Sequence, residues 1–476
     1  MQQPQAQPAE KFSEKFTDHA VNGVNLTEQT ADFVAAHRTE DVRELALKSK
    51  RVDGLDLPLA LDQIAGWQIA CKKLPQWASC EGIIYPPHIS MEQCSSQFTA
   101  QYKSEIAQTL LTPAVTVRAR MSDSAESDNQ TTKSEPQLSD SGESDTQETK
   151  TGVRVTDSPE SDTLVARSSM VDLTGGFGVD FSYLARGFSQ ATYVERQRHL
   201  CDLAEHNMAA LGLDQARIVC GDGVEYLRQM DPVDFIYLDP ARRDEHGSRT
   251  YAIEDCTPNV LELRDLLLAK SQCTLVKLSP MLDWRKAVAD FDGTVREVHI
   301  VATGNECKEL LLVLSQQVHE EPSAPRVFCV NDNQRIDYDS AAYTQGLRIG
   351  GKPLPETKNY LYEPNASIMK AGCFDLVEER FGVTQVGPSS HLFVSATPVA
   401  DFPGRGFAIE AIGGMNKKDI KRLLNGTKQA NIAVRNFPLT APQLRKKLKL
   451  ADGGPVYLFG TTMQGCDHVL LRTSKI

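Results

Sequence analysis

The sequence predicts an α/β protein: a parallel sheet that finishes in an antiparallel hairpin, preceded by a helical region and followed by a smaller α+β region. Three observations predict it. From Ser169 onward, short β-rich apolar runs alternate with helical patterns, and strands buried on both faces and separated by helices form parallel sheets. The last two runs of that block, "TVREVHIVA" and "CKELLLVLS", are joined only by "TGNE", which marks a hairpin. Between about residues 31 and 112 the apolar spacing is instead three and four, as amphipathic helices require.

Composition limits the class of protein. A chain of 476 residues with 41% apolar and 24% charged residues is that of a soluble globular protein of more than one domain. The N-terminus "MQQPQAQPAEKFSEKF" carries no signal-peptide pattern, and without a run of about 18 apolar residues no membrane span is expected. Eleven cysteines with no CxxC pair point to reduced thiols in a cytoplasm and to no metal site. The formal charge of −12 is unevenly spread. Met121 to Asp162 hold 11 acidic against 3 basic residues, whereas Gly404 to Ile476 hold 13 basic against 4 acidic. A basic end on an acidic chain suggests a polyanionic partner.

In order along the chain, "RTEDVRELALKS", "PLALDQIAGWQIACKKL" and "SMEQCSSQFTAQYKSEIAQTLL" are predicted helices of an N-terminal region, residues 1–120. "YPPHI" interrupts them, because proline lacks the backbone donor. Residues 121–163, rich in Ser, Asp, Glu and Thr, are predicted to be a disordered acidic insertion. The sheet domain, 164–318, has strands at "MVDL", "ATYVE", "ARIVC", "VDFIYLD" and "CTLVKLS", with helices at "FSYLARG", "RHLCDLAEHNMAALG", "GVEYLRQM" and "PNVLELRDLLLAK". A connecting α+β domain, 319–400, has a helix at "NASIMKAGCFDLVEERF" and a strand at "HLFVSAT". The basic domain, 401–476, has "RGFAIEAIGG", "NKKDIKRLLN", "NIAVRNF", "TAPQLRKKLKL" and a final strand pair about "TTMQGCD".

"VDLTGGFGVD", between the first strand and its helix, is the stretch richest in chemical information. A P-loop needs a lysine and a hydroxyl residue after its second glycine, and none follows. A dinucleotide fingerprint needs a third glycine where Phe181 stands. The remaining reading is S-adenosylmethionine, whose amino-acid end carries charge but no phosphate. Asp172 can accept from its ammonium group, and Gly176 and Gly178 let the backbone approach. Thr174, Gly175 and Asp180 complete the loop. Glu195, ending the second strand, can take both ribose hydroxyls, and Asp222 after the third can accept from the adenine amine.

These stretches, "DLTGGFGVD", "YVERQ", "EHNMAALGL", "CGDG" and "YLDPARR", resemble the successive motifs of class I S-adenosylmethionine-dependent methyltransferases. The whole chain resembles a bacterial group of them with an N-terminal helical region and a C-terminal THUMP-like domain. The resemblance implies a Rossmann-like sheet, methyltransferase activity (EC 2.1.1.-) and an RNA partner, tRNA or rRNA. The family's loop usually begins with glycine, where this chain has Thr174.

In related enzymes that methylate amino groups, the fourth strand ends in an acidic or amide residue and prolines beside the transferable methyl. Asp239 and Pro240 occupy that place and are the expected catalytic residues. Ala241 and Arg242 replace the usual second proline and aromatic. Arg242 and Arg243 can stack on a base or bind phosphate, or pair with Asp244 and Glu245. Methylation at pyrimidine C5 needs a cysteine nucleophile, but Ser279 and Pro280 follow the fifth strand. Cys256 and Cys273 are the nearest in sequence. Lys277 meets either substrate or an acidic neighbour. On the two basic helices, Lys417, Lys418, Lys421 and Arg422, then Arg445, Lys446, Lys447 and Lys449, offer stripes to phosphates. The first expectation is an RNA methyltransferase acting on a base amino or ring nitrogen. The alternatives are a small-molecule or protein methyltransferase and an inactive RNA-binding scaffold.

Overall fold

The computed structural model describes residues 26–49, 52–86, 88–111, 168–242, 252–316, 324–343, 357–465 and 467–476. The expected acidic insertion, 121–163, lies outside them, as does Arg243. The chain divides into two compact units, Met1–Gly221 and Asp222–Ile476.

Among the described residues the first unit has six helices before its strands: α1 (Glu28–His37), α2 (Val42–Lys48), α3 (Leu57–Lys73), α4 (Pro75–Ala78), α5 (His88–Gln93) and α6 (Gln97–Leu111). Side chains start several of them. Asp41 accepts from the backbone N–H groups of Arg43 and Glu44, and Asp56 from that of Leu59, satisfying donors that a helix start leaves unpaired. The segment predicted as one helix from Ser90 is two, because Ser96 accepts from the Thr99 N–H and starts α6 afresh. Serine competes with helical bonding in this way. Val34, Leu45, Ala60 and Ile64 form the core of α1 to α3.

Three parallel strands follow: β1 (Ser169–Asp172), β2 (Gln190–Glu195) and β3 (Ala216–Cys220), with β2 between the others. The connecting helices are α7 (Val179–Leu184) and α8 (Arg198–Ala210). Asn207 of α8 holds the backbone of Ile84 with both halves of its amide, at 2.9 Å each, so the loop before α5 is tied to the sheet layer.

The second unit begins with α9 (Gly223–Gln229), β4 (Val233–Leu238), a short ladder of β5 (Ala241–Arg242) and β6 (Cys256–Thr257), α10 (Val260–Lys270), β7 (Ser271–Leu278) and α11 (Trp284–Asp290). The expected hairpin is β8 (Val295–Thr303) and β9 (Glu306–Ser315), and β9 enters antiparallel between β7 and β8. Two further strands, β10 (Arg326–Asn331) and β11 (Gln334–Asp339), extend this sheet, with β10 parallel to β8. Residues 326–339, expected in the connecting domain, therefore belong to the first sheet of this unit. Strand order there is β4-β7-β9-β8-β10-β11.

A second sheet of seven strands completes the unit: β12 (Tyr360–Pro364), β13 (Thr384–Gln385), β14 (Phe393–Ser395), β15 (Gly404–Gly413), β16 (Asn431–Arg435), β17 (Val456–Thr462) and β18 (His468–Lys475). Its order is β13-β14-β12-β15-β18-β17-β16. Helices α12 (Ala366–Ala371) and α13 (Phe374–Phe381) replace the one long helix expected, because Gly372 takes a left-handed φ of 68° and ends the first. Helices α14 (Lys417–Leu424) and α15 (Ala441–Leu448) both cover one apolar cluster, of Leu423, Leu444, Leu448, Leu458 and Leu470. Alternate residues Phe459 and Leu471 enter a second cluster with Leu361, Val394 and Phe407, as the two-residue period of a strand dictates.

Among the described residues no helix is long and apolar enough to cross a membrane. None of the described cysteines forms a disulfide.

Candidate functional site

In the first unit the glycine loop is built around carboxylates. Asp172, buried at the end of β1, accepts from the Thr174 N–H at 2.9 Å. The next amide, Gly175 N–H, donates to Val194 of β2 at 2.9 Å. A Cβ on Gly175 would lie 2.2 Å from the Tyr193 ring, so only glycine lets the loop lie this close to β2. Gly176 and Gly178 adopt φ of 56° and 81°. A Cβ on Gly176 would meet nothing nearer than the Thr174 carbonyl at 3.6 Å, which leaves that side of the backbone open to an incoming group.

Glu195 fastens the loop. Its Oε2 accepts from Gly176 N–H at 3.0 Å and its Oε1 from Gln197 N–H at 2.9 Å. Each carboxylate oxygen has a second lone pair, so the buried group can still accept from a ligand's hydroxyls. The Tyr193 hydroxyl donates to the Gly176 carbonyl. Burial, then the charges of Glu195 and Asp172, push its pKa well up, so Tyr193 stays a proton donor. Beside them the Cys201 thiol, pushed up to about 12 by burial and by Cys220, is inert as a nucleophile.

Asp180 takes a different direction from the one expected. In the first turn of α7 it binds Lys103 Nζ through Oδ1 at 3.1 Å, and Ser95 Oγ donates to its Oδ2 at 2.8 Å. Its carboxylate is engaged by the helical region. Lys103 gave a signal that sequence reasoning missed: it stands on the buried stripe of α6 with Ala100 and Ala107, where a lysine needs a partner.

In the second unit Asp222 is exposed and caps α9, its Oδ1 accepting from the N–H groups of Val224 and Glu225 at 2.9 and 3.0 Å. Asp239 follows β4 directly, and its Oδ2 meets Lys277 Nζ of β7 at 2.6 Å. The contact follows from register, since Leu238 pairs with Val276 across the parallel ladder. Pro240 is buried, and the backbone of Arg242 pairs with that of Cys256. Cys256 and Cys273 are both buried, and burial raises the Cys273 thiol. Met281, in the loop after β7, is a large apolar side chain left 62% exposed. Among the described residues no group of His, Cys, Asp and Glu could hold a metal ion.

On the basic helices the cations separate into two kinds. Lys417, Lys418, Lys421, Lys446, Lys447 and Lys449 are exposed. Arg445 instead donates to the carbonyls of Ala430 and Ala451 at 3.0 Å each and pairs with Asp452 at 2.6 Å. Arg422 donates to the Ile412 carbonyl at 2.7 Å and pairs with Asp419 at 3.2 Å. The two arginines hold helix to sheet.

Residues 360–403 match a ferredoxin-like domain family, and residues 404–475 match a THUMP domain-like family. A candidate methyltransferase from Porphyromonas gingivalis W83 is similar over 94% of this chain and 97% of its own, with 30% identity and a TM-score of 0.72. An S-adenosylmethionine-dependent methyltransferase from Agrobacterium tumefaciens is similar over 32% of this chain and 56% of its own, with 17% identity and a TM-score of 0.25. An rRNA methylase from Streptococcus thermophilus is similar over 32% and 89%, with 15% identity and a TM-score of 0.25. These last two likenesses are too slight to bear on function. No curated protein matches the chain.

Proposed function

Because the chain belongs to the methyltransferase family of the Porphyromonas protein, we propose that it methylates a base nitrogen of a structured RNA with S-adenosylmethionine as donor. One observation carries the donor reading: Glu195 binds the Gly176 N–H and the buried Asp172 binds that of Thr174, so two acceptor-only groups frame a glycine backbone with an open side. That set fits a ligand with an ammonium group and a ribose diol and no phosphate. When bound, the donor supplies an electrophilic methyl carbon.

This chain's residues do the rest. Asp172 and Glu195 hold the donor's ammonium and ribose. Asp239 accepts from the acceptor nitrogen and Pro240 stiffens the turn that carries it. Lys277 holds the Asp239 carboxylate in one orientation, and methyl transfer depends on such positioning. The THUMP-like match and the exposed lysines of α14 and α15 support RNA, tRNA or rRNA, as the partner. In this reading the catalytic domain runs to Asp339, two strands beyond its expected end, and the chain works in a reducing cytoplasm.

The test has two parts. Purified protein is incubated with methyl-labelled donor and total RNA, and nucleosides from cells with and without the protein are compared by mass spectrometry. The reading expects label in RNA and one modified nucleoside that disappears with the protein. Label confined to small molecules or protein would overturn the RNA assignment, and no label anywhere would overturn the activity.

A further inference from the structure

The six-residue helix α7 continues directly from the glycine loop, and a helix this short cannot hold its own position in water. The N-terminal helices supply the anchors. Lys103, fully buried, binds Asp180 in its first turn, with Ser95 on the other carboxylate oxygen. Trp77 Nε1 donates to Ser182 Oγ at 3.1 Å in its middle, and Ser104 Oγ donates to the Tyr183 carbonyl at 3.0 Å towards its end. The Trp77 ring also lies against Phe177, centroids 5.1 Å apart, and Phe177 stands between the two left-handed glycines of the loop.

From this geometry we infer that the N-terminal helical region is part of the donor site: Lys103 and Trp77 are positioning residues that fix the glycine loop through α7. The inference rests on the donor reading above and adds the identity of what holds that site in shape. The anchors span both turns of α7, more than one contact would need for attachment alone. A buried ammonium is costly unless paired, and here its partner is the first-turn residue of the loop's own helix. Loosening it frees the loop to sample conformations that bind no donor, so affinity falls by the bound-competent fraction.

The test uses the full chain and S-adenosylhomocysteine, the demethylated donor, in calorimetry alongside thermal melting. Lys103→Met leaves Asp180 without its buried ammonium and should lower both the melting temperature and affinity. The paired variant Lys103→Met/Asp180→Leu removes both charges, so its melting temperature should return towards wild type. Its affinity should remain weaker by on the order of tenfold, with the donor KM raised and the acceptor KM unchanged. Recovery of melting temperature and affinity together would overturn the inference and make the pair a purely structural one. Should the paired variant not fold, Trp77→Phe keeps a ring on Phe177 and loses the bond to Ser182 with part of a buried side chain; it should lower the melting temperature modestly and, at a temperature where the variant is fully folded, weaken binding about threefold. Unchanged affinity there overturns the inference as well. Wild-type protein that binds no S-adenosylhomocysteine overturns the donor reading itself, a failure visible before any variant is made.

Discussion

Two lysine–aspartate pairs divide the labour of this chain. Lys103 and Asp180 are 0% and 11% exposed, with Nζ and Oδ1 at 3.1 Å. Lys277 and Asp239 are 16% and 39% exposed, with Nζ and Oδ2 at 2.6 Å. The first pair links an N-terminal helix to the helix that follows the glycine loop. The second links the ends of two neighbouring parallel strands, and its aspartate remains open to solvent. In the proposed reading the same residue types do different work, and burial decides which. A sealed pair holds its neighbours in place, because burial keeps ligands from it, whereas an accessible pair can exchange a bond for one to substrate.

The contrast can be broken most decisively at Asp239. Asp239→Ala should lower the transfer rate by on the order of 100-fold, the cost of misplacing an acceptor, with S-adenosylhomocysteine affinity unchanged in calorimetry. Equal loss of rate and affinity would place Asp239 with the pair that positions the glycine loop. Glu195→Ala should do the reverse, weakening donor binding by about 1–3 kcal/mol, because the loop amide of Gly176 and the ligand both lose their acceptor. Lys277→Met should lower kcat about tenfold, the worth of one charge-assisted bond, and Lys277→Arg should restore part of it. A fall in melting temperature without a change in kcat would make this pair structural too.

The smallest effect sharpens the contrast in the C-terminal domain. Lys417→Ala, Lys418→Ala and Lys421→Ala together should flatten the salt dependence of RNA binding by about 0.7–0.9 per lost phosphate contact, at an unchanged melting temperature. Arg445→Ala should instead lower the melting temperature and leave the salt slope as it was, since its guanidinium is engaged by Ala430, Ala451 and Asp452. Filter binding across a salt series reads both.

What the sequence made legible was local. β1, β2, β3, β4 and β7 follow from short apolar β-rich runs, and β8 and β9 from the "TGNE" turn, whose Asn305 takes a left-handed φ of 63°. The glycine loop and the order Asp172, Glu195, Asp222 were visible because the first two end strands and the third follows one closely. Pairings between distant elements were not. The place of β10 beside β8 is set by parallel pairing across a long separation, which no local pattern announces. Ser96 and Gly372 break helices whose apolar spacing runs on unbroken, because side-chain capping and a left-handed residue outweigh periodicity. Asp180 resembled a loop ligand until Lys103, 77 positions earlier in the chain, was seen to hold it.

The central claim is that Glu195 and Asp172 frame a site for a sulfonium donor. Titrating S-adenosylhomocysteine into the full-length protein tests it most directly. The account predicts saturable heat at a single site, a raised melting temperature, and clear weakening of both in Glu195→Ala. No heat and no melting shift from the wild-type protein would contradict it.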